Sequence, residues 1–182
     1  MYLPFPFGQS GASEPLKLEA MIPMPDVQGR IDHLSIDLKG QRLFVAALGN
    51  NSIEIVHLKH NKLIHSISGL PEPQGVAYLP SSNRVFVANG KDGSVRAFDA
   101  VSWQMLKSIQ YGEDADNLRL DPNSGHIWVG YGGGALGECD QDGTKLAEIK
   151  LDAHPESFQL EKNGSRIFRQ PAGVPEDRCC GY

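Results

Sequence analysis

The chain repeats itself with a period of about 42 residues, and this period constrains the fold more than any other feature. Large aromatic residues recur at intervals of 42, 42 and 40 residues, at Phe44, Phe86, Trp128 and Phe168. Apolar residues recur at the same intervals, at Leu34, Val76, Leu118 and Phe158. Self-similarity at a fixed period of this length indicates one supersecondary unit that is copied in tandem.

Each repeat unit carries four short segments with the composition of β-strands. In the unit that spans residues 74–112, these segments are Gly75–Leu79, Val85–Ala88, Val95–Phe98 and Met105–Ile109. They are rich in β-branched and aromatic residues, and clusters of turn-forming residues separate them. Four short antiparallel strands per repeat are typical of a β-propeller blade, so we predict an all-β fold built from such blades.

The repeat pattern covers about three and a half blades. We predict a flexible arm at 1–14, a blade-closing strand at 15–25, blades at about 30–70, 73–112 and 115–152, a half-blade at 155–168 and a non-repeat tail at 169–182. Phe44, Phe86, Trp128 and Phe168 would be the wedges that fill the space between neighbouring sheets. An arc of this kind leaves end faces uncovered, so we expect a truncated propeller that self-associates, as a homodimer or larger oligomer, to complete its ring.

Composition narrows the partners and the compartment. The formal net charge is −5, and no run of Lys and Arg could follow a phosphate backbone, so we do not expect nucleic acid as a partner. No apolar run approaches the ~18 residues that a membrane span requires. The three cysteines, Cys139, Cys179 and Cys180, give no disulfide framework. Residues 1–7 are apolar but contain no basic residue, so a complete signal peptide is not expected there.

Candidate binding residues lie just before the first strand of each unit. In a propeller this strand lines the central axis, and its start opens on one rim where loops of several blades meet. The candidates at these positions are Asp32, His33, Gln74, Asp116, Asn117, His154 and Glu156. The acids Asp32, Asp116 and Glu156 could hold Ca²⁺ or another hard divalent cation. Alternatively, acids and amides at such positions serve only to accept hydrogen bonds from turn N–H groups.

One repeat resembles the YVTN-type β-propeller family. The residues that carry the resemblance are Val85-Phe86-Val87-Ala88-Asn89, Gly93-Ser94-Val95 and Phe98-Asp99, and the likeness extends over about residues 30–168. It implies a bacterial, extracytoplasmic propeller protein, and many members of that group have no assigned activity. In residue types alone, the rim also resembles the gluconolactonase-like propellers, which hold one metal with Glu, Asn and Asp.

Three functions stay open at this stage. The first is a non-enzymatic scaffold that binds a small ligand or a protein at the rim and needs no cofactor. The second is a metal-dependent hydrolase or lyase that uses the acidic rim. The third is a gene-fragment remnant without selected activity. No nucleophile elbow and no Cys–His pair point to a catalytic residue.

Overall fold

The computed structural model describes residues 16–171, and within them it contains fourteen β-strands and one short 3-10 turn. The first sheet consists of β1 (Leu34–Asp37), β2 (Arg42–Ala47), β3 (Ser52–His57) and β4 (Lys62–Ser68). The second consists of β5 (Pro73–Leu79), β6 (Arg84–Asn89), β7 (Ser94–Asp99) and β8 (Met105–Gln110). The third consists of β9 (Leu118–Leu120), β10 (Ile127–Tyr131), β11 (Ala135–Cys139) and β12 (Lys145–Lys150). The last contains β13 (Pro155–Leu160) and β14 (Ile167–Pro171).

Each complete sheet is an antiparallel meander in which sequential strands are neighbours. The first strands of the four sheets, β1, β5, β9 and β13, contact one another in series and therefore form the inner side of the arc. This arrangement confirms the predicted all-β fold of four-stranded propeller blades. Within residues 16–171 there is no helix that is long and apolar enough to cross a membrane.

Neighbouring blades pack through side chains that alternate between the two faces of each sheet. Phe44 is fully buried between the first and second blades, where it stacks on Tyr78 with ring centroids 5.4 Å apart. Phe86 is fully buried one repeat later and packs with Val129 of the third blade. Burial of a phenylalanine side chain removes apolar surface from water and stabilises the fold by about 2–3 kcal/mol. These two residues are wedges between sheets, as the sequence predicted.

The ends of the arc differ from its interior. Trp128 is only partly buried against the half-blade, and Phe168 is 44% exposed. The prediction that Phe168 is a buried wedge is therefore wrong, because no following blade is present among the described residues to cover its face of the sheet. At the other end of the arc, Leu34 is 56% exposed because no preceding blade is present among the described residues, whereas its repeat equivalent Val76 is 5% exposed.

Two element boundaries also differ from the prediction. Residues 16–25 form no strand, because the half-blade that such a strand would complete lies at the opposite end of the arc. The final strand continues to Pro171, three residues beyond the predicted end of the repeat at Phe168. Arg169 and Gln170 pair with Phe158 and Ser157, since backbone pairing does not require the apolar side chains of the repeat. The predicted arm at 1–14 and the cysteines at 179 and 180 lie outside the described residues.

Candidate functional site

The residues that precede the inner strands share one backbone arrangement. In the first blade the N–H of Asp32 donates to the carbonyl of Ala46, and the N–H of Ala46 donates to the carbonyl of His33. The third blade repeats this exchange between Asp116, Gly130 and Asn117. The Asp32-His33 and Asp116-Asn117 pairs are therefore structural equivalents. The inner strands β5 and β13 carry register shifts at the corresponding place, and such bulges redirect side chains at a sheet rim.

Gly75 lets the second and third blades approach each other at this rim. A Cβ atom at residue 75 would lie only 2.0 Å from the carbonyl oxygen of Asp116. Because the obstacle is backbone, no side-chain rotation could relieve the contact. Glycine at this position therefore sets the distance at which the start of β5 meets the segment that carries Asp116.

Asp116 is the centre of a cluster of polar side chains, which we call the rim cluster: Asp32, His33, Asp114, Asp116, Asn117 and His154. The Asp116 side chain is largely buried, and its Oδ2 accepts a hydrogen bond from Asn117 Nδ2 at 2.9 Å. The other oxygen, Oδ1, is buried and has no hydrogen-bond partner among the described residues. A buried carboxylate oxygen without a partner is costly, and such groups are usually kept for a function.

Two histidines from different blades flank this carboxylate. His33 Nδ1 lies 3.1 Å from Asp32 Oδ1 and 3.9 Å from Asp116 Oδ1. His154 Nε2 lies 3.7 Å from Asp116 Oδ2, and its Nδ1 lies 2.7 Å from the carbonyl oxygen of Gly132. If Nδ1 is the protonated nitrogen of the neutral ring, it donates to Gly132, and Nε2 is then the unprotonated nitrogen that faces Asp116.

Burial and neighbouring charges shift the protonation of the cluster. Burial raises the pKa of Asp116, and the Asp32 carboxylate adds to this, while His33 and His154 oppose it. Burial by itself lowers the pKa of His154, but the Gly132 carbonyl and the Asp114 and Asp116 carboxylates outweigh it and raise the pKa. Both shifts favour the protonated forms of Asp116 and His154 relative to the isolated side chains.

The remaining predicted rim residues lie at the margin of the cluster. Gln74 Nε2 donates to Asp114 Oδ1 at 3.1 Å, and the backbone carbonyl of Gln74 accepts a hydrogen bond from the N–H of His33. Glu156 has an exposed side chain and enters the cluster through its backbone carbonyl, which accepts from Asn117 Nδ2 at 2.8 Å. The structure thus brings the predicted residues to one rim, but it places them at different depths.

Sequence reasoning did not single out Arg119, which lies on the inner strand directly below the rim. Its Nη2 donates to Asn117 Oδ1 at 3.4 Å, and its guanidinium lies 5.4 Å from the ring centroid of Phe158. The available signal was a charged residue between Leu118 and Leu120, in a strand whose neighbours are apolar. Such a position faces a blade interface and not open solvent.

A cavity of about 580 Å³ adjoins the rim cluster between the second and third blades. Its walls include Tyr111, Tyr131, Glu113 and the glycine-rich loop at 132–134. Gly132 connects the two features, since its carbonyl accepts from His154 and its backbone also lines the cavity. The volume is in the range of known small-molecule sites.

Comparison of whole folds shows a propeller neighbour. Hydrazine synthase from Kuenenia stuttgartiensis superimposes with a TM-score of 0.71 at 19% sequence identity, and the match covers 90% of this chain and 47% of that protein. Such a likeness establishes the fold alone.

Comparison of sequences gives more specific relatives. Serum paraoxonase/arylesterase 2 from Gallus gallus is 26% identical over 116 residues, which is 62% of this chain and 30% of that protein. The Rattus norvegicus protein of the same name is 27% identical over 107 residues, 57% of this chain and 28% of its own length. The matched part of the chain thus spans less than a third of the length of these relatives. The arylesterase family model matches residues 33–157, a segment that begins at His33 and contains most of the rim cluster. Because this match covers more than half of the chain, the protein belongs to the arylesterase family.

Proposed function

We propose that the rim cluster is the centre of a metal-dependent hydrolase site that cleaves carboxylic esters. The observation that carries the proposal is the buried, unpartnered Oδ1 of Asp116, in a carboxylate that has His33 beside Oδ1 and His154 beside Oδ2. Membership of the arylesterase family supports an ester as the substrate. The adjoining cavity offers space for the organic part of such a substrate.

The donor atoms at the rim fit a hard divalent cation such as Ca²⁺ in kind. Ca²⁺ prefers carboxylate and amide oxygens, and Asp116 Oδ1 and the Asp32 carboxylate are of this type. Among residues 16–171 no group of three or more His, Cys, Asp and Glu side chains is arranged as a metal site, so an amide or carbonyl oxygen would have to complete the set. A bound cation would polarise the ester carbonyl.

The residues of the chain supply orientation and proton transfer in this proposal. Asn117 fixes the Asp116 carboxylate by donating to its Oδ2, which leaves the buried Oδ1 without a hydrogen bond from the described residues. His33 lies beside the Asp32 and Asp116 carboxylates, where it could take a proton from an attacking water. Partial burial of the cluster strengthens these charge interactions relative to open water.

The test compares Asp116 with an acid outside the cluster. We expect Asp116→Asn to abolish binding of Ca²⁺ in calorimetric titration and to lower the rate of phenyl acetate hydrolysis by about 100-fold or more. Asp121→Asn is the matched control, because Asp121 lies at the far end of the same strand and accepts hydrogen bonds from its own turn. Equal activity and equal Ca²⁺ binding in the two variants would contradict the proposal.

A non-enzymatic scaffold stays the alternative, and the YVTN-type repeat assignment stays a prediction beside it. A scaffold would require the rim only as a surface for a ligand or protein. It gives no reason for the unpartnered carboxylate oxygen of Asp116, so the enzyme is the better supported of the two. A protein that binds Ca²⁺ without hydrolysing any aryl ester would favour the scaffold.

We further propose that the arc associates with a second copy of the chain. Leu34, Ile36 and Phe168 leave apolar surface exposed on the two end faces, whereas the equivalent positions between blades are covered. Phe168 is the repeat equivalent of Phe44, which packs against the second blade. The sheet face that carries Phe168 could therefore pack against the sheet face that carries Leu34 in another copy. Sedimentation should show a dimer or larger species, and a stable monomer at micromolar concentration would contradict this.

A further inference from the structure

Arg119 differs from every other arginine in residues 16–171 because it has no carboxylate partner. The other six arginines of this part of the chain each form a salt bridge with an Asp or Glu: Arg30, Arg42, Arg84, Arg96, Arg166 and Arg169. Arg119 instead donates to two neutral oxygens, the Leu118 carbonyl at 2.8 Å and the Asn117 amide oxygen at 3.4 Å. Its positive charge is therefore not neutralised by direct contact with any described side chain.

The position of Arg119 makes this charge unusual. The residue lies in the inner strand β9, three positions after Asp116, and the face of Phe158 covers part of its guanidinium. Burial lowers the pKa of Arg119, and only the more distant Asp116 carboxylate opposes this shift. Proteins normally pair a guanidinium that is withdrawn from water, since an unpaired buried charge is destabilising.

The guanidinium also has donors to spare. It carries five N–H groups in a planar fork, and the protein accepts from only two of its nitrogens. The Nε–H makes no hydrogen bond to residues 16–171, and the residue as a whole is only partly buried. The unused donors are therefore available to a ligand. A fork of this shape matches a carboxylate, which it can bind through two parallel hydrogen bonds.

We propose that Arg119 binds a carboxylate group of the substrate, so that the preferred substrates are esters that carry a free carboxylate. The inference rests on the proposed ester hydrolysis at the rim cluster. Asn117 links the two parts, because its amide nitrogen donates to Asp116 and its amide oxygen accepts from Arg119. A carboxylate held at Arg119 would thus place the rest of the molecule next to Asp116.

Charge selection explains why a site rich in acids would need this arginine. Asp32, Asp114 and Asp116 make the rim negative, and a negative rim repels an anionic substrate. An unpaired guanidinium beneath the rim supplies the attraction locally, at the point where the anionic end of the substrate would lie. Neutral esters would gain nothing from it.

The experiment uses two esters that differ in one terminal group, monophenyl succinate and phenyl butyrate. We expect the full chain to hydrolyse monophenyl succinate with the higher kcat/KM. Arg119→Met should lower kcat/KM for monophenyl succinate by about 10- to 100-fold, as expected for a charged hydrogen-bonded pair, and leave that for phenyl butyrate unchanged. Arg119→Lys keeps the charge but loses the fork, so it should retain only part of the preference.

Arg84→Met is the matched control, because Arg84 is paired with Asp142 in another part of the arc and should not affect either ester. Melting temperatures of all variants show whether Arg119→Met still folds, and Arg119→Lys carries the test if it does not. An equal fall for both esters in Arg119→Met would overturn the proposal, since it would mean that Arg119 acts through Asp116. An equal preference of the wild-type chain for both esters would overturn it as well.

A binding measurement separates this proposal from the hydrolase proposal. Succinate is titrated without added Ca²⁺, and its affinity for the wild-type chain should fall about tenfold or more in Arg119→Met. If neither ester is hydrolysed but this loss is seen, the hydrolase proposal fails and Arg119 is still a carboxylate site. If succinate binds equally to both proteins, the Arg119 proposal fails whatever the hydrolysis shows.

Discussion

Asp116 and Asp121 stand at the two ends of one inner strand, and their carboxylates are held in opposite ways. Asp121 accepts hydrogen bonds from the N–H of Asn123 and the hydroxyl of Ser124, and the Asn123 N–H is the main cause of its lowered pKa. Asp116 has one oxygen without any partner among the described residues, and burial raises its pKa. The turn explains Asp121 completely, but it does not explain Asp116.

The first blade shows the same contrast between Asp32 and Asp37. Asp37 accepts from the N–H of Gly40 and from Arg42, and these bonds hold its pKa below the usual value although burial alone would raise it. Asp32 at the other end of the strand lies against His33 in the rim cluster. Asp37 and Asp121 at one edge of the arc thus stabilise turns, whereas Asp32 and Asp116 at the other edge lie together in the rim cluster. The edge that carries the rim cluster is therefore the better candidate for a functional site.

Gly75→Ala should have the largest effect, because it separates the blades where the rim cluster forms. The new Cβ would lie 2.0 Å from the Asp116 carbonyl oxygen, so the backbone has to move. We expect the free energy of unfolding to fall by about 1–3 kcal/mol, with loss of Ca²⁺ binding, as measured by urea denaturation and calorimetry.

Gly133→Ala is the control for that change. A Cβ at residue 133 would meet no atom within 4 Å, so we expect a change within about 0.5 kcal/mol. If the two alanine variants were equally stable, the close approach of the second and third blades at the rim would be wrong.

The same substitution at the two ends of β9 should change stability in opposite directions. Asp121→Asn weakens the turn and should lower the free energy of unfolding by about 0.5–1.5 kcal/mol at neutral pH. Asp116→Asn removes a charge that burial disfavours, so it should raise the free energy of unfolding. Chemical denaturation of both variants decides this, and a loss of stability in Asp116→Asn would show that its carboxylate is structural.

The contributions of Asp116 and Asp121 to stability should change with pH in opposite directions, and this effect should be smaller than those of the substitutions above. Because the folded-state pKa of Asp116 is raised above 3.8, the folded chain binds the extra proton, and the contribution of Asp116 to stability falls as pH rises through its folded pKa. The pKa of Asp121 is lowered, so its contribution is present above 3.8 and is lost as pH falls through its folded pKa. Denaturation curves from pH 3 to 7 give the difference in free energy of unfolding between each Asn variant and the wild-type chain. If this difference changed with pH in the same direction for both variants, the proposed contrast between Asp116 and Asp121 would be wrong.

Much of the fold was predictable because a tandem repeat displays each position several times. The equivalence of Phe44 and Phe86 followed from spacing, and both are buried between blades. The pattern could not show which copies lack a neighbour, so it misplaced Phe168. It also suggested a strand at 15–25 from alternation alone, although a strand requires a partner to pair with.

The rim was predictable from topology, and its chemistry was not. Alignment of the repeats placed Asp32 and Asp116 before equivalent inner strands, and the structure brings both next to His33. Depth and partners depend on the contact between blades, which no single repeat encodes. For that reason the exposed side chain of Glu156 and the unpaired guanidinium of Arg119 emerged only from the structure.

A titration of the individual carboxyl groups tests the central claim most directly. Carbon-detected NMR of the aspartate side chains, assigned with Asp116→Asn and Asp121→Asn, follows each carboxyl in the intact chain without added metal. The account predicts that Asp116 titrates above the usual aspartate value of about 3.9 and Asp121 below it. If Asp116 titrates together with Asp121, its carboxylate is satisfied like that of any turn residue, and the rim cluster is not a functional site.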